Sequence, residues 1–220
     1  LKLDPMPGLG LAPDASLRGS VIHEALGRFA MAHATSLPAE IAAELLGNAR
    51  AALSDFAGNA RVAAFWLPRF ARFAAWFAET EAARRQGTTR VLAELPGSIV
   101  WHAPAGPFTL KARADRVDVS GQGLVITDYK SGANLTALAA RAGRGEAPQL
   151  LLEAVIANAG GFDKLDAMPV TALRYISASG GEPPGRVIDV KSDDLAALAA
   201  SAKAGLEQLI AAFDDEATPY

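Results

Sequence analysis

Cysteine is absent from this 220-residue sequence, which removes disulfides, thiolate zinc sites and a cysteine nucleophile together. That composition fits a reducing cytoplasm, the location expected for it. Long apolar runs are missing as well, and none approaches the roughly 18 residues that a membrane span needs, so no membrane partner is expected. The opening residues LKLDPMPGLG lack the charged-then-apolar order of a signal peptide. The first residue is Leu rather than Met, and the chain is expected to be a fragment of a longer one. Charge of one sign is scarce too. The net charge is −3, without the overall basic stripe of a protein that binds nucleic acid tightly by itself. What is abundant is apolar side chain, 50% of the residues, enough to build one domain with a proper core.

The first third of the chain is Ala-rich and reads as helix. From Ser16 to about Ala34, Ile22, Leu26, Phe29 and Ala30 recur at helical spacing. A second helix is expected to start after Ser36 as N-cap with Pro38 in its first turn. A third is expected from about Asn59 to Gln86, with Trp66, Phe70, Phe73 and Phe77 on one stripe, read as core rather than as a base-stacking surface. After Gly87 the character changes. RVLAELPG, SIVWHAP, PFTLKARADRVDV and GLVITDYK are β-branched or alternating segments divided by Gly and Pro, and read as strands. Helices near Leu135–Arg141 and Pro148–Ala159, a strand Val170–Ala178, a short strand at RVIDV and a terminal helix from about Asp193 to Phe213, capped by Ser192 or Asp193, complete the chain. The expectation is a single domain over residues 1–220, mainly helical through residue 87 and sheet-containing from residue 88. Helices, a meander and then helix–strand–helix imply an α/β sandwich with a mixed sheet.

The chemistry concentrates in KARADRVDVSGQGLVITDYKSG, Lys111–Gly132. Ser-Gly-Gln-Gly between Val119 and Leu124 is a hairpin loop, and pairing outward from it sets Val117 against Ile126 and Asp115 against Asp128. Directly opposed residues on one face have Cβ atoms about 4.5–5.5 Å apart, an unfavourable place for two carboxylates unless a positive group lies between them. Alternation puts Lys130 on the same face. Two carboxylates and a lysine on an otherwise apolar strand suit a divalent cation bound by oxygen, Mg²⁺ or Mn²⁺ rather than zinc. Asp128-Tyr129-Lys130 alone is better read as a surface hairpin with ordinary salt bridges, and only the opposed Asp115 makes the metal site an equal reading. His23 on the first helix shares a face with Gly19, Ser20, Leu26 and Gly27, and a lone helical His is more often solvated or satisfied than a ligand. Gln149 opens a helix beyond the hairpin, and Glu94 is either a third carboxylate or a strand-edge charge.

Gly-Ser-x-x-His on a leading helix, then Arg-Ala-Asp-Arg-Val-Asp, Ile-Thr-Asp-Tyr-Lys-Ser-Gly and Pro-Gln-Leu closely resembles the RecB-type branch of the PD-(D/E)XK nuclease superfamily. The likeness is greatest to the C-terminal nuclease domain of AddB-type helicase–nuclease subunits. It spans about Arg18 to Tyr220, and its most specific part is the DYKSG segment with an Asp thirteen residues upstream. The resemblance implies a restriction-endonuclease-like core, a mixed β-sheet flanked by helices. It implies an Mg²⁺-dependent exonuclease of a helicase–nuclease that repairs double-strand breaks by recombination. His23, Asp115 and Asp128 would bind metal, Lys130 would be the catalytic lysine, and Gln149 would open the family's Gln-x-x-x-Tyr motif. The implied partners are an AddA-type subunit and DNA, as single strands delivered by the motor, which would explain why little intrinsic affinity is needed. Two departures stand out. Glu153 occupies the position of the Tyr, and without Cys the iron–sulfur cluster of many AddB-like proteins cannot form within this chain. Local basic groups at Arg84, Arg85, Arg90, Lys111, Arg113, Arg116, Arg141 and Arg144 are DNA contacts or plain solvated surface. The rival readings are a nuclease fold kept as a DNA-binding or scaffolding module without catalysis and, more remotely, a glycosidase using Asp115 and Asp128 as acid and base.

Overall fold

The computed structural model describes residues 15–54, 62–132, 134–215 and 218. Helices α1 (Ala15–Ala32), α2 (Ile41–Ala52) and α3 (Leu67–Arg84, preceded by a π-helical turn at Val62–Trp66) come first. Strands β1 (Thr88–Ala103), β2 (Gly106–Ser120) and β3 (Gly123–Lys130) form a meander. Then follow α4 (Leu135–Gly143), α5 (Gln149–Asn158), β4 (Val170–Ser177), β5 (Arg186–Asp189) and α6 (Leu195–Asp214). The strands make one five-stranded sheet in order β1-β2-β3-β4-β5. Among the described strands only β3 and β4 run parallel, because the α4–α5 crossover returns the chain to the same end of the sheet.

Each face of the sheet has its own apolar core. On one side Ile22, Leu26, Phe29, Leu45, Phe73 and Phe77 of α1–α3 close on Tyr129 and Ile176 of the sheet. On the other, α4, α5 and α6 cover Leu95, Ala114, Val117, Ile126 and Leu173. The aromatic stripe of α3 is core as expected: Phe70, Phe73 and Phe77 are buried, and Trp66 packs against them partly covered.

Several element boundaries move. The second helix begins at Ile41, not after Ser36; the chain first crosses to the sheet, where the Ala34 carbonyl accepts from the Val91 N–H at 2.7 Å. The expected start of the third helix near Asn59 lies outside the described residues. RVLAELPG and SIVWHAP are not two strands but one, β1. Pro96 is tolerated because β1 is an edge strand. Gly97 is needed because a Cβ there would lie 2.4 Å from the Phe162 ring, which approaches to form a bridge with Gly97. The last helix is capped by Asp194, whose side chain accepts from Ala197 N–H at 2.9 Å, rather than by Ser192 or Asp193. By length and composition alone α6 suffices to cross a membrane, contrary to the sequence expectation, although Lys203 and Glu207 pair along it. It rests on the core through Leu195, Leu198, Ala199 and Ala202.

The two halves are joined by buried charge. Arg116 of β2, 2% exposed, reaches Glu81 of α3 at 2.8 Å and grips Asp118 through two nitrogens, at 2.6 and 2.8 Å. Arg84 and Arg85 hold the same Glu81. Burial acts against the Glu81 charge, but Arg116, Arg84 and Arg85 keep its carboxyl below the usual range. Removing one member of such a group strands the others without compensation, at a cost of about 3–5 kcal/mol. Arg116→Leu should therefore lower stability by about that much in urea unfolding, and a loss below about 1 kcal/mol would show the network to be dispensable.

Candidate active site

The site starts from an irregularity shared by two strands. Leu92 pairs with Val117 and Leu95 with Ala114, yet all four side with the α4–α6 core. Regular alternation would put residues three apart on opposite faces. Both strands therefore slip by one residue at the same level, and the register survives. The residues at the slip are Glu94 and Asp115. Glu94 has φ 48°, a left-handed conformation that non-glycine residues adopt at a cost.

The second irregularity is a parting of β2 from β3. Val119 pairs with Leu124 and Val117 with Ile126, as the hairpin loop implies, but the ladder ends at Arg116 and Thr127. Asp115 and Asp128, expected to pair next, do not. Instead Asp115 Oδ2 accepts the Tyr129 N–H at 2.8 Å, so a side chain takes the hydrogen bond that the β2 backbone would have made. Asp115 Oδ1 faces His23 Nδ1 of α1 at 3.2 Å. Glycines let α1 come this close: a Cβ at Gly27 would meet Glu94 Cγ at 3.0 Å, and Gly19 lies against Ser131, whose carbonyl accepts from Arg18. One donor atom from each of His23, Glu94 and Asp115 lies within 4.8 Å of the others.

Across the gap, Asp128 is 2% exposed. Its Oδ1 accepts from Lys130 Nζ at 2.8 Å and from Gln149 Nε2 at 2.7 Å. Lys130 also donates to Gln149 Oε1 at 3.3 Å, so lysine, amide and carboxylate form a closed triangle. Gln149 turns its Nε2 to Glu153 Oε1 as well, at 3.2 Å. Among the described residues, two buried carboxylate oxygens have no hydrogen-bond partner, Asp128 Oδ2 and Glu153 Oε2.

The structure thus brings His23, Asp115, Asp128, Lys130 and Gln149 into one neighbourhood and adds Glu94 and Glu153. Glu94, left open from the sequence, meets His23 and Asp115. Its signal was Gly27, four residues after His23 in a helix interior, where glycine is costly unless something needs the room. The burial of Glu153 had no sequence signal. Of the basic groups, Arg84, Arg85 and Arg116 are not surface; they are spent on Glu81 and Asp118. Arg141 and Arg144 pair with Glu146, while Lys111 and Arg113 are exposed.

The local charge is in deficit of cations. Burial, then the charge of Asp115, raises the Asp128 carboxyl, and the same two causes raise Glu94. The hydrogen bond that His23 donates to Asp115 raises the His23 imidazole. Burial pushes Glu153 up to about 8, and it pushes Tyr175, beside Asp128 in the β3–β4 register, up to about 12. Four carboxyl groups around one lysine, one half-buried histidine and, at the edge, Arg113, which reaches Glu94, with an orphaned oxygen on Asp128, suit a hard divalent cation with oxygen and imidazole donors. His23, Glu94 and Asp115 are grouped closely enough to hold it, and Asp128 offers an unpartnered oxygen near Asp115.

A family model described as the PD-(D/E)XK nuclease superfamily matches residues 2–220. The chain belongs to the PD-(D/E)XK nuclease superfamily. No individual curated protein matches it. Members of the superfamily are typically metal-dependent nucleases, and the mixed sheet flanked by helices, with a helical N-terminal region, is the fold of the family.

Glu153 gives a pH-dependent signature. Its neighbours include Gln149, Lys130, Asp128 and Asp115, and the two acids oppose its ionisation. Below pH 4.5 it is protonated in both folded and unfolded chains; between pH 4.5 and about 8 the unfolded chain ionises while the folded one keeps its proton. Stability must fall with rising pH across that window. In EDTA, Glu153→Gln should gain melting temperature relative to the parent as pH rises through the window, by several degrees. A difference that stays constant with pH would show that Glu153 ionises freely.

Proposed function

We propose that this chain is a Mg²⁺-dependent deoxyribonuclease, with Mn²⁺ as a working substitute, acting exonucleolytically on single strands. In this reading it is the nuclease domain of an AddB-like subunit, paired with an AddA-type partner in a cytoplasmic helicase–nuclease that processes double-strand breaks for recombination. The observation that carries the hydrolytic reading is the buried Asp128 oxygen without a partner, on a carboxylate whose charge interacts with those of Asp115 and His23 and which lies two residues before Lys130, while His23, Glu94 and Asp115 are grouped closely enough to share an ion. The sequence order that resembles RecB-type domains supports the finer assignment.

A bound divalent cation would polarise a phosphoryl oxygen and lower the pKa of a water. The residues of the chain do the rest. Asp115 holds two things apart and in place: the Tyr129 N–H through one oxygen and His23 through the other. Gln149 fixes the direction of the Asp128 carboxylate and of the Lys130 ammonium simultaneously. Lys130 thereby presents a positive charge, 29% exposed, where charge on a phosphate oxygen develops, and a prepositioned charge of this kind needs no reorganisation during reaction. The apolar packing of Ile126, two residues before Asp128, and of Leu150, next to Gln149, limits water and keeps these interactions strong.

Incubating the protein with end-labelled single-stranded DNA should give cleavage in Mg²⁺ and none in EDTA. Asp115→Ala and Lys130→Ala should each reduce the rate by at least about a hundredfold with unchanged circular dichroism. Wild-type protein that neither cleaves DNA nor takes up Mg²⁺ in calorimetry overturns the assignment and favours a scaffold.

A further inference from the structure

Beyond the slip at Glu94 and Asp115, β1 and β2 continue as a two-stranded arm. One of its faces is covered: Leu95, Ile99, Leu110, Ala112 and Ala114 belong to the core under α5 and α6. The opposite face is bare. Pro96 pairs with Arg113, Ser98 with Lys111, Val100 with Thr109 and His102 with Pro107, and all eight of these residues are exposed. No acidic side chain stands among them. Because both strands slip together, this bare face lies on the same side of the sheet as the His23–Glu94–Asp115 group. Arg113 makes the junction visible, reaching Glu94 at 3.6 Å while its side chain remains 68% exposed.

Resting on the nuclease reading above, we infer that the exposed face of the β1–β2 arm is the track on which a single DNA strand lies as it enters or leaves the site. Three features fit this occupant. The face is narrow, two strands wide, about 5 Å between strands, which suits one extended chain rather than a duplex. From Glu94 to His102 it runs about 25 Å at the rise of a strand, room for several nucleotides. Arg113 and Lys111 lie two residues apart on β2, about 6.7 Å, comparable with the interval between successive phosphates of an extended strand. Cations so placed contact phosphates without reading sequence, while Val100, 63% exposed, and His102 offer surface for bases to rest on. The track also accounts for how a chain of net charge −3 meets a polyanion: Lys111 and Arg113 stand at the threshold of the site, where Arg113 offsets the Glu94 carboxylate.

The test uses fluorescence anisotropy of a labelled oligodeoxythymidine in Mg²⁺, on the Lys130→Ala background so that the strand stays intact. Adding Lys111→Glu and Arg113→Glu together should weaken binding at least tenfold. The plot of log affinity against log salt should become shallower by about 1.4, since each single-strand phosphate contact contributes roughly 0.7. Arg50→Glu with Lys191→Glu, the same charge change away from the arm, should weaken binding less than threefold. Equal weakening by both pairs, less than twofold weakening by the first, or no salt-sensitive binding at all overturns the track. With Lys130 intact, the parent and the Arg50→Glu, Lys191→Glu protein should hydrolyse bis(p-nitrophenyl) phosphate at the same rate. A parent inactive on both this ester and DNA would count against the nuclease reading alone, because the anisotropy still decides the track.

Discussion

The buried guanidinium of Arg116 is the constraint on which the arrangement rests. An arginine taken wholly out of water must find its charge partners within the protein, and Arg116 finds them on two elements, Asp118 two positions along its own strand and Glu81 on α3. Its Nη1 also donates to the Tyr129 hydroxyl at 3.4 Å. Arg116 follows Asp115 directly, and Tyr129 stands between Asp128 and Lys130. The same contacts that lock α3 to the sheet therefore fix, from the rear, the two strand segments whose front sides carry the candidate chemistry. Around this point β2 and β3 can part without fraying, because the hydrogen bond lost from the ladder is replaced by the Asp115 side chain.

The helical half contributes differently. Its aromatic core brings α1 across the end of the sheet, and small residues on the facing side of α1 let it descend until His23 meets Asp115. Strain at Glu94 is kept where the two strands slip, and the surrounding register, constant from the Arg90–Val119 pair to the Ala103–Gly106 pair, is what over-determines it. Donor groups from α1, β1 and β2 meet at one place only because both irregularities fall at the same level.

Much of this was legible in the sequence, for identifiable reasons. The Ser-Gly-Gln-Gly turn fixes the β2–β3 register, and the 3.6-residue spacing of Phe70, Phe73 and Phe77 marks a buried face. The order of His23, Asp115, Asp128, Lys130 and Gln149 points to the PD-(D/E)XK superfamily, and at that level the match over residues 2–220 agrees. Other features could not be read. Pro96-Gly97 looks like a strand break, and only the approach of Phe162 explains why the strand runs through it. Strict alternation cannot foresee a slip taken by two strands together, so the opposition of Asp115 and Asp128 was a step too regular. Arg116 and Glu81 are 35 positions apart in sequence, and no periodicity links them; as a result, arginines that read as surface are buried.

The cluster has a further consequence because it draws on both apolar cores. His23 belongs to the helical half, whereas Asp128 and Gln149 lean on the core beneath α5. A cation held by groups from both would bind the native arrangement and not one in which α1 has swung away, and would stabilise closure in proportion to its concentration over its dissociation constant. The metal would then be a fastener as much as a reagent. Depleting it would loosen the first helices from the sheet before the sheet itself gives way, so that resistance of α1 to proteolysis would report on occupancy of the centre.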